Sequence, residues 1–435
     1  MIAIVLAGGA SSRLWPLRDK SLIRLGGESL LARTVGSLCD AGAGRIVVVA
    51  SGANAEAIRA EVGRMDATVL CQVAVQDART PGIGAGVIAA VESLGAGGDD
   101  RRAIVTHAHA ADTTRLFRNL VAASDAAPGG GVLAGRAIPE DSYFDGGYLL
   151  LDGPDGRAGG ITEKPGPGSV PPGRMATIMA HAHPDIVRLA EAVARQYEGG
   201  GETDDHYERA VSVLCWQDEY RVLPYDGPWR PLKHPWDLLE AADLFLAGVA
   251  RGIDAAADVS EGARVAGPVW VGPGARIMWG ADIEGPAWIG PGAVVGQFSV
   301  VRDSMVGAGA VVGTGSEVVR SYLGDGARLH AARVLDSVVA GSEPGVEPAN
   351  LSAGSVTANL RIDGAEVRSW VSGSGVGSGR RKLGAIIGAG AFVAVNAALM
   401  PGVKLGERAV VLPGAVVRRD VSDGATAGRG RGGSE

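Results

Sequence analysis

Met1-Ile-Ala-Ile-Val-Leu-Ala-Gly-Gly-Ala-Ser-Ser-Arg-Leu-Trp-Pro-Leu-Arg-Asp-Lys20 opens the chain and sets the reading of everything after it. Residues 2–7 form an unbroken apolar run, the pattern of a buried parallel strand. Gly8 and Gly9 follow directly. Glycines at a strand end let backbone N–H groups approach an anion closely. Arg13 forks onto phosphate oxygens and Lys20 adds a second cation. The pattern points to a nucleoside triphosphate.

Working outward, apolar residues at helical spacing (Leu30, Leu31, Val35, Leu38) predict a helix over 29–39. Residues 45–50 and 68–75 read as buried strands with a helix over 54–62 between them, and 103–107 as the next strand. Strand–helix alternation predicts a doubly wound parallel sheet, with ligands at the carboxyl ends of its strands. Gln76 ends the third strand, and a helix opens at Pro81-Gly82-Ile83-Gly84. Residues 148–151 and 220–223 read as later strands, and 236–250 as an amphipathic connector helix.

Beyond residue 254 the period changes. Aliphatic residues stand six apart at Val259, Val265, Val271, Ile277, Ile283, Ile289, Val295 and Val301. After a shift of one residue the series continues at Val306, Val312 and Val318, and it returns from Ile387 to Val417. Val271-Gly-Pro-Gly-Ala and Ile289-Gly-Pro-Gly-Ala show the small residues that fit a tight corner. This is the hexapeptide signature of a left-handed parallel β-helix. The period weakens between about 322 and 384, and residues 362–380 read as an inserted loop. The expected divisions are a Rossmann-like, GT-A-like α/β domain over 1–228, a connector over 229–254, the β-helix over 255–420 and a disordered Gly/Arg/Ser-rich tail over 421–435.

Composition narrows the class. The 435 residues are too many for one core. A net charge of −7 without a basic stripe argues against a nucleic-acid partner. Cys39, Cys71 and Cys215 form no metal spacing and no disulfide framework, which fits a reducing cytoplasm. No apolar stretch is long enough to span a bilayer, so no membrane partner is expected.

The opening motif resembles the signature loop of nucleotidyltransferases that join a sugar 1-phosphate to an NTP, which reads Leu-Ala-Gly-Gly-x-Gly-Thr-Arg-Leu-x-Pro-Leu with a lysine further on. Its Ser-Ser-Arg and Asp-Lys are similar to the related molybdenum-cofactor nucleotidyltransferases. The resemblance implies nucleotide contacts from Leu6, Ala7, Gly8, Gly9, Arg13, Lys20, Gln76 and Gly82, with Arg13 and Lys20 also catalytic. Gln76 reads equally as a solvated loop residue. Ile161-Thr-Glu-Lys-Pro165 resembles the family's Glu-Lys-Pro motif. It implies a sugar-phosphate site of Gly147, Glu163 and Lys164.

Departures stand beside these matches. The family's asparagine-bearing strand corresponds only to Arg174-Met-Ala-Thr-Ile-Met-Ala180. Its two Mg²⁺ carboxylates fall on Ala108 and Pro231, and the glycine of its closing motif on Lys233. Mg²⁺ is expected from the resemblance with unknown ligands, Asp112 being a weak candidate. His107 and His109 read as ordinary polar residues, since Mg²⁺ prefers oxygen ligands.

His330, Asp336-Ser337, Ala353-Gly-Ser-Val-Thr-Ala-Asn-Leu-Arg361 and Arg380-Arg-Lys-Leu-Gly384 resemble the acyltransferase half of bifunctional sugar-1-phosphate nucleotidylyltransferase/acetyltransferases. The family's tyrosine near the histidine is Arg333 here. The resemblance implies acetyl-CoA or another acyl-CoA as donor and an acyl site of His330, Asn359 and Lys382. In this reading His330 is expected to serve as the base, with Asn359 and Lys382 holding substrate or oxyanion; His330 also reads as a polar residue on a solenoid face. The resemblance also implies a homotrimer. The whole-chain expectation is an enzyme making an NDP-sugar and pyrophosphate from an NTP and a sugar 1-phosphate, with acyl-CoA-dependent acyl transfer at the second domain. The alternative is a catalytically degenerate N-terminal domain, lacking its metal carboxylates, that binds a nucleotide-sugar or serves as scaffold.

Overall fold

The computed structural model describes residues 1–9, 11–65, 69–77, 79–80, 82–95, 101–108, 110–111, 113–153, 155–198 and 204–428. The chain divides into two compact units. One comprises residues 1–10 and 29–229, the other residues 11–28 and 230–435. The expected 1–228 domain therefore differs from the observed unit in the segment 11–28. Among the described residues no helix is long and apolar enough to cross a membrane.

The first unit is built on a nine-stranded sheet. Its order is Leu70–Val75, Arg45–Ala50, Ile2–Leu6, Ala103–His107, Met175–His183, Gly131–Ala137, Tyr220–Pro224, Arg157–Glu163, Gly147–Asp152. The first four strands are parallel, as the β–α alternation predicts. The sheet is not parallel throughout, however. Met175–His183 runs antiparallel to Ala103–His107, to Gly131–Ala137 and, at its start, to Gly147–Asp152. Helices Leu30–Asp40, Ala55–Val62, Gly82–Leu94, Thr113–Ala126, Ile186–Glu198 and His206–Gln217 accompany it. Ile4, Val47, Val105, Leu133 and Leu149 from five of the strands share one core.

In the second unit three parallel sheets of eight, nine and eight strands stack as the faces of a coil. Ile277 pairs with Val295 and Ile283 with Val301, so one turn takes 18 residues, or three hexads. The one-residue shift seen at Val306 shortens the turn: Ile289 pairs with Val306 and Val295 with Val312, 17 apart. Val318 pairs with Val334, 16 apart. The inward aliphatic residues form one continuous core from Val269 to Val421. Between Val356–Thr357 and Ile386–Ile387 the chain leaves the coil. Part of the expected 362–380 loop is an antiparallel hairpin of Arg368–Val371 and Ser374–Gly377. The connector helix is shorter than expected, Asp237–Leu246, with Gly248 just beyond it. The coil passes residue 420: Val421 bridges to Leu405, and Thr426–Ala427 pairs with Val410–Val411. The expected tail thus begins inside the last turn, and residues 429–435 lie outside the described residues.

Segment 11–28 belongs to this unit through specific side chains. Trp15 Nε1 donates to Asp423 Oδ1 at 2.9 Å. The Lys404 ammonium lies 5.4 Å from the centre of the Trp15 ring. Arg18 pairs with Glu407 and with Glu343, and Tyr322 donates its hydroxyl proton to the Arg24 carbonyl at 2.9 Å.

Candidate functional sites

In the first unit the strand Ile2–Leu6 delivers Ala7 and Gly8 to the carboxyl edge of the sheet. A Cβ on Gly8 would lie 2.9 Å from Gln76 Oε1 and 3.0 Å from Ser51 N, so glycine alone fits there. The structure thus places Gln76 directly against the Gly8 turn. Gly9 has open space beside it. Gly82 has a φ of +87° and abuts the Asp204 carbonyl, which a Cβ would approach to 2.9 Å. Asn54, which the sequence reading passed over, ties this edge together. Its Nδ2 donates to the Ala7 carbonyl at 2.8 Å, and its Oδ1 accepts from Ser51 N at 2.8 Å.

Arg13 and Lys20 stand on the segment grouped with the second unit. Arg13 is exposed, in a short 3-10 turn Ser12–Leu14; Lys20 opens a second such turn, capped by Asp19. Burial lowers the Lys20 ammonium pKa; Asp19 raises it and Arg13 lowers it further.

The sugar-phosphate candidates converge. Gly147 and Glu163 are register partners on adjacent strands. Lys164 Nζ lies 3.2 Å from Glu163 Oε1. A Cβ on Gly147 would meet Thr177 Cγ2 at 2.7 Å and Glu163 Oε2 at 2.9 Å. Glu208, at the first turn of the His206–Gln217 helix, is buried, and among the described residues its Oε2 has no hydrogen-bond partner. Burial pushes its carboxyl up to about 8, opposed by its own backbone and aided by Glu163, Asp204 and Asp205. Sequence spacing gave no signal for Thr177 or Glu208, since neither matches a family motif.

The metal candidate Asp112 lies outside the described residues, as does His109. Ala108 and Pro231 cannot ligate. Among the described residues no group of three or more His, Cys, Asp or Glu side chains is arranged to hold a metal ion. The two carboxylate positions of the family pattern therefore offer Mg²⁺ no side-chain oxygen.

In the coil His330 is exposed and follows the strand Arg328–Leu329. Asn359 donates from Nδ2 to the Asp336 carboxylate at 2.6 Å, and its carbonyl accepts from Leu383 N at 2.9 Å. Arg320 closes on the same buried Asp336 with two bonds of 2.8 Å. Lys382 bridges Leu360 and is exposed. Asn359 and Lys382 are thus brought together. His330 is not grouped with them within one chain: it follows a strand of one face, and Asn359 follows Val356–Thr357 of the next. Gly384 is forced by packing, because a Cβ would overlap Ser337 Oγ and the Leu335 carbonyl.

Residues 3–137 match the family described as the MobA-like NTP transferase domain. The match takes in the nucleotide turn and the strands from Ile2–Leu6 to Gly131–Ala137. The chain is 28% identical over 430 residues to a bifunctional sugar-1-phosphate nucleotidylyltransferase/acetyltransferase of Sulfurisphaera tokodaii, covering 98% of this chain and 99% of that one. It is 30% identical over 214 residues to the bifunctional protein GlmU of Methanococcus vannielii, covering 49% and 50%. A crystal structure of apo UDP-glucose pyrophosphorylase superposes with a TM-score of 0.48 at 12% identity, covering 57% of this chain and 98% of that one. Its likeness to a bifunctional sugar-1-phosphate nucleotidylyltransferase/acetyltransferase thus extends over both units.

Proposed function

We propose that this chain carries out two successive group transfers in the supply of an activated sugar. What carries the reading is the joining, in one chain, of a nucleotide-loop domain to a three-faced coil interrupted at Asn359–Gly384. At the first site an oxygen of a sugar 1-phosphate attacks the α-phosphorus of an NTP, and pyrophosphate leaves. Leu6, Ala7, Gly8, Gly9, Gln76 and Gly82 take the nucleotide. Arg13 and Lys20, on the stretch of sequence that follows Gly9, offset charge on the phosphates. Burial already strips water from the Lys20 ammonium and lowers its pKa, so a phosphate brought beside it would favour the charged form. Gly147, Glu163 and Lys164 hold the sugar phosphate, Glu163 accepting from ring hydroxyls and Lys164 meeting the phosphate. The NTP phosphates would hold Mg²⁺, which would offset charge at the transferred phosphorus.

At the second site an amine of the sugar attacks the thioester of an acyl-CoA. The C–N bond forms, the C–S bond breaks, and the amine proton passes to His330. Asn359 and Lys382 orient the acceptor and the oxyanion. Because His330 lies on a different face from these two, the site is completed by a neighbouring subunit in a trimer. Ile362 and Trp370, exposed at 104% and 59% in and beside the inserted hairpin, give that contact its apolar surface. The scattered cysteines, none in a disulfide among the described residues, suit a cytoplasmic enzyme.

The test is acetyl transfer from acetyl-CoA to glucosamine 1-phosphate, followed with light scattering. His330→Ala is expected to slow transfer by about 10²–10⁴-fold with trimer mass and CoA affinity unchanged. A stable monomer with full activity, or an unaltered rate in the variant, refutes the second site.

A further inference from the structure

Next to the proposed sugar pocket runs a chain of buried side chains that no motif announced. Thr177 Oγ1 lies 2.8 Å from His181 Nε2, and His181 Nδ1 lies 2.9 Å from the Tyr207 hydroxyl. The same hydroxyl lies 3.0 Å from His183 Nε2, and His183 Nδ1 lies 2.9 Å from the Tyr220 hydroxyl. His181, Tyr207, His183 and Tyr220 are all at most 1% exposed. Thr177 alone is partly exposed, and its methyl faces Gly147 beside the Glu163 carboxylate.

The direction of this chain follows from donor counting. Among the described residues the Tyr220 hydroxyl has no other hydrogen-bond partner. A buried O–H left without an acceptor costs the full desolvation of the group. Its proton therefore goes to His183 Nδ1. Burial holds His183 down to about 3, so the ring is neutral and carries one N–H, at Nε2. That N–H donates to the Tyr207 oxygen, which frees the Tyr207 proton for His181 Nδ1. His181 then carries its proton at Nε2 and donates it to Thr177 Oγ1. Thr177 ends the chain as an acceptor, with its own hydroxyl proton still to give.

We propose that Thr177 is a substrate-contacting residue of the nucleotidyltransfer site, its hydroxyl held as an outward donor by the Tyr220–His183–Tyr207–His181 relay and aimed at an oxygen of the sugar 1-phosphate. The proposal rests on the sugar-pocket reading of Gly147 and Glu163. Glu163 accepts from one ring hydroxyl while Thr177 donates to a neighbouring oxygen, so the pair reads adjacent donor and acceptor positions on one sugar ring. The four buried members are positioning residues; Thr177 supplies the polar group on a strand that lacks the family's asparagine.

The experiment has two arms on the full chain. Imidazole ¹⁵N–¹H correlation spectra are expected to show both His181 and His183 as neutral Nε2–H tautomers at pH 7. An Nδ1–H tautomer on either ring overturns the relay. In the second arm, UDP-N-acetylglucosamine is titrated calorimetrically, which needs no turnover. Thr177→Val is expected to weaken binding about 3–10-fold, the worth of one neutral hydrogen bond, and Thr177→Ser to restore it. If Glu163→Gln weakens binding and Thr177→Val does not, the inference on Thr177 fails and the pocket stands. If neither variant changes affinity, the pocket reading fails with it.

Discussion

The side-chain oxygen of Gln76 lies 2.9 Å from where a Cβ on Gly8 would stand, and Ser51 N lies 3.0 Å from the same point. The nucleotide turn is therefore closed on one side by a side chain and on the other by the backbone at the end of the Arg45–Ala50 strand. Gln76 can yield; Ser51 N cannot without moving the strand. Gly8→Ala is expected to cost about 1–3 kcal/mol of stability, the range for overpacking, and to displace the turn. Thermal unfolding together with ATP and UTP binding checks this. An alanine variant of wild-type stability and affinity would mean that the turn has room the structure does not show.

A second expectation concerns pH. The Glu208 carboxyl is raised to about 8 by burial and by the nearby carboxylates, above its ordinary value of 4.5. Between those values the folded state keeps a proton that the unfolded chain releases. Stability of the first unit should therefore fall as pH rises from about 4.5 to about 8, then level off, a loss on the order of a few kcal/mol. Glu208→Gln should flatten the slope. Hydrogen exchange in the His206–Gln217 helix at pH 5 and pH 8 reads this locally. Equal slopes in wild type and variant would contradict the assignment.

Lys404 provides a third. Its ammonium is 2% exposed, 2.9 Å from Asp420 Oδ2 and 3.4 Å from Ser369 Oγ, and it also donates to the Trp370 carbonyl. Removing one partner of a buried pair strands the other charge, at about 3–5 kcal/mol. Lys404→Ala should show that loss in urea unfolding of the coil. Lys404→Met combined with Asp420→Asn should recover most of it, since no charge is then left unpaired. A loss below about 1 kcal/mol in the single variant would be that of a surface pair.

Local periodicity explains what was readable in the sequence. The strands Ile2–Leu6, Arg45–Ala50 and Ala103–His107, and nearly every rung of the coil, follow from apolar runs or six-residue spacing. Even the shortened turns were visible, as the slip at Val306. Reversal of Met175–His183 was not, because strand direction is set by neighbours distant in sequence. For the same reason Asn54, Thr177 and Glu208 gave no signal: each gains its place through a partner on another element. Segment 11–28 illustrates the converse. Its motif marks it for phosphate, yet Trp15, Arg18 and Arg24 are occupied with Asp423, Glu407 and Tyr322 of the coil unit. At the second site the motifs gave Asn359 and Lys382 as a pair, and the fold puts His330 on another face.

The central claim is that this chain still transfers nucleotides although Ala108 and Pro231 stand where metal carboxylates are expected. Pyrophosphate release from each of the four common NTPs, paired with glucose 1-phosphate and N-acetylglucosamine 1-phosphate in the presence of Mg²⁺, tests it directly. The account predicts release that requires both substrates and that Arg13→Ala lowers at least tenfold, the loss of a charged phosphate contact. No release from any pair, in a protein that still binds NTP, would contradict it and leave the first unit a nucleotide-sugar-binding or scaffold domain.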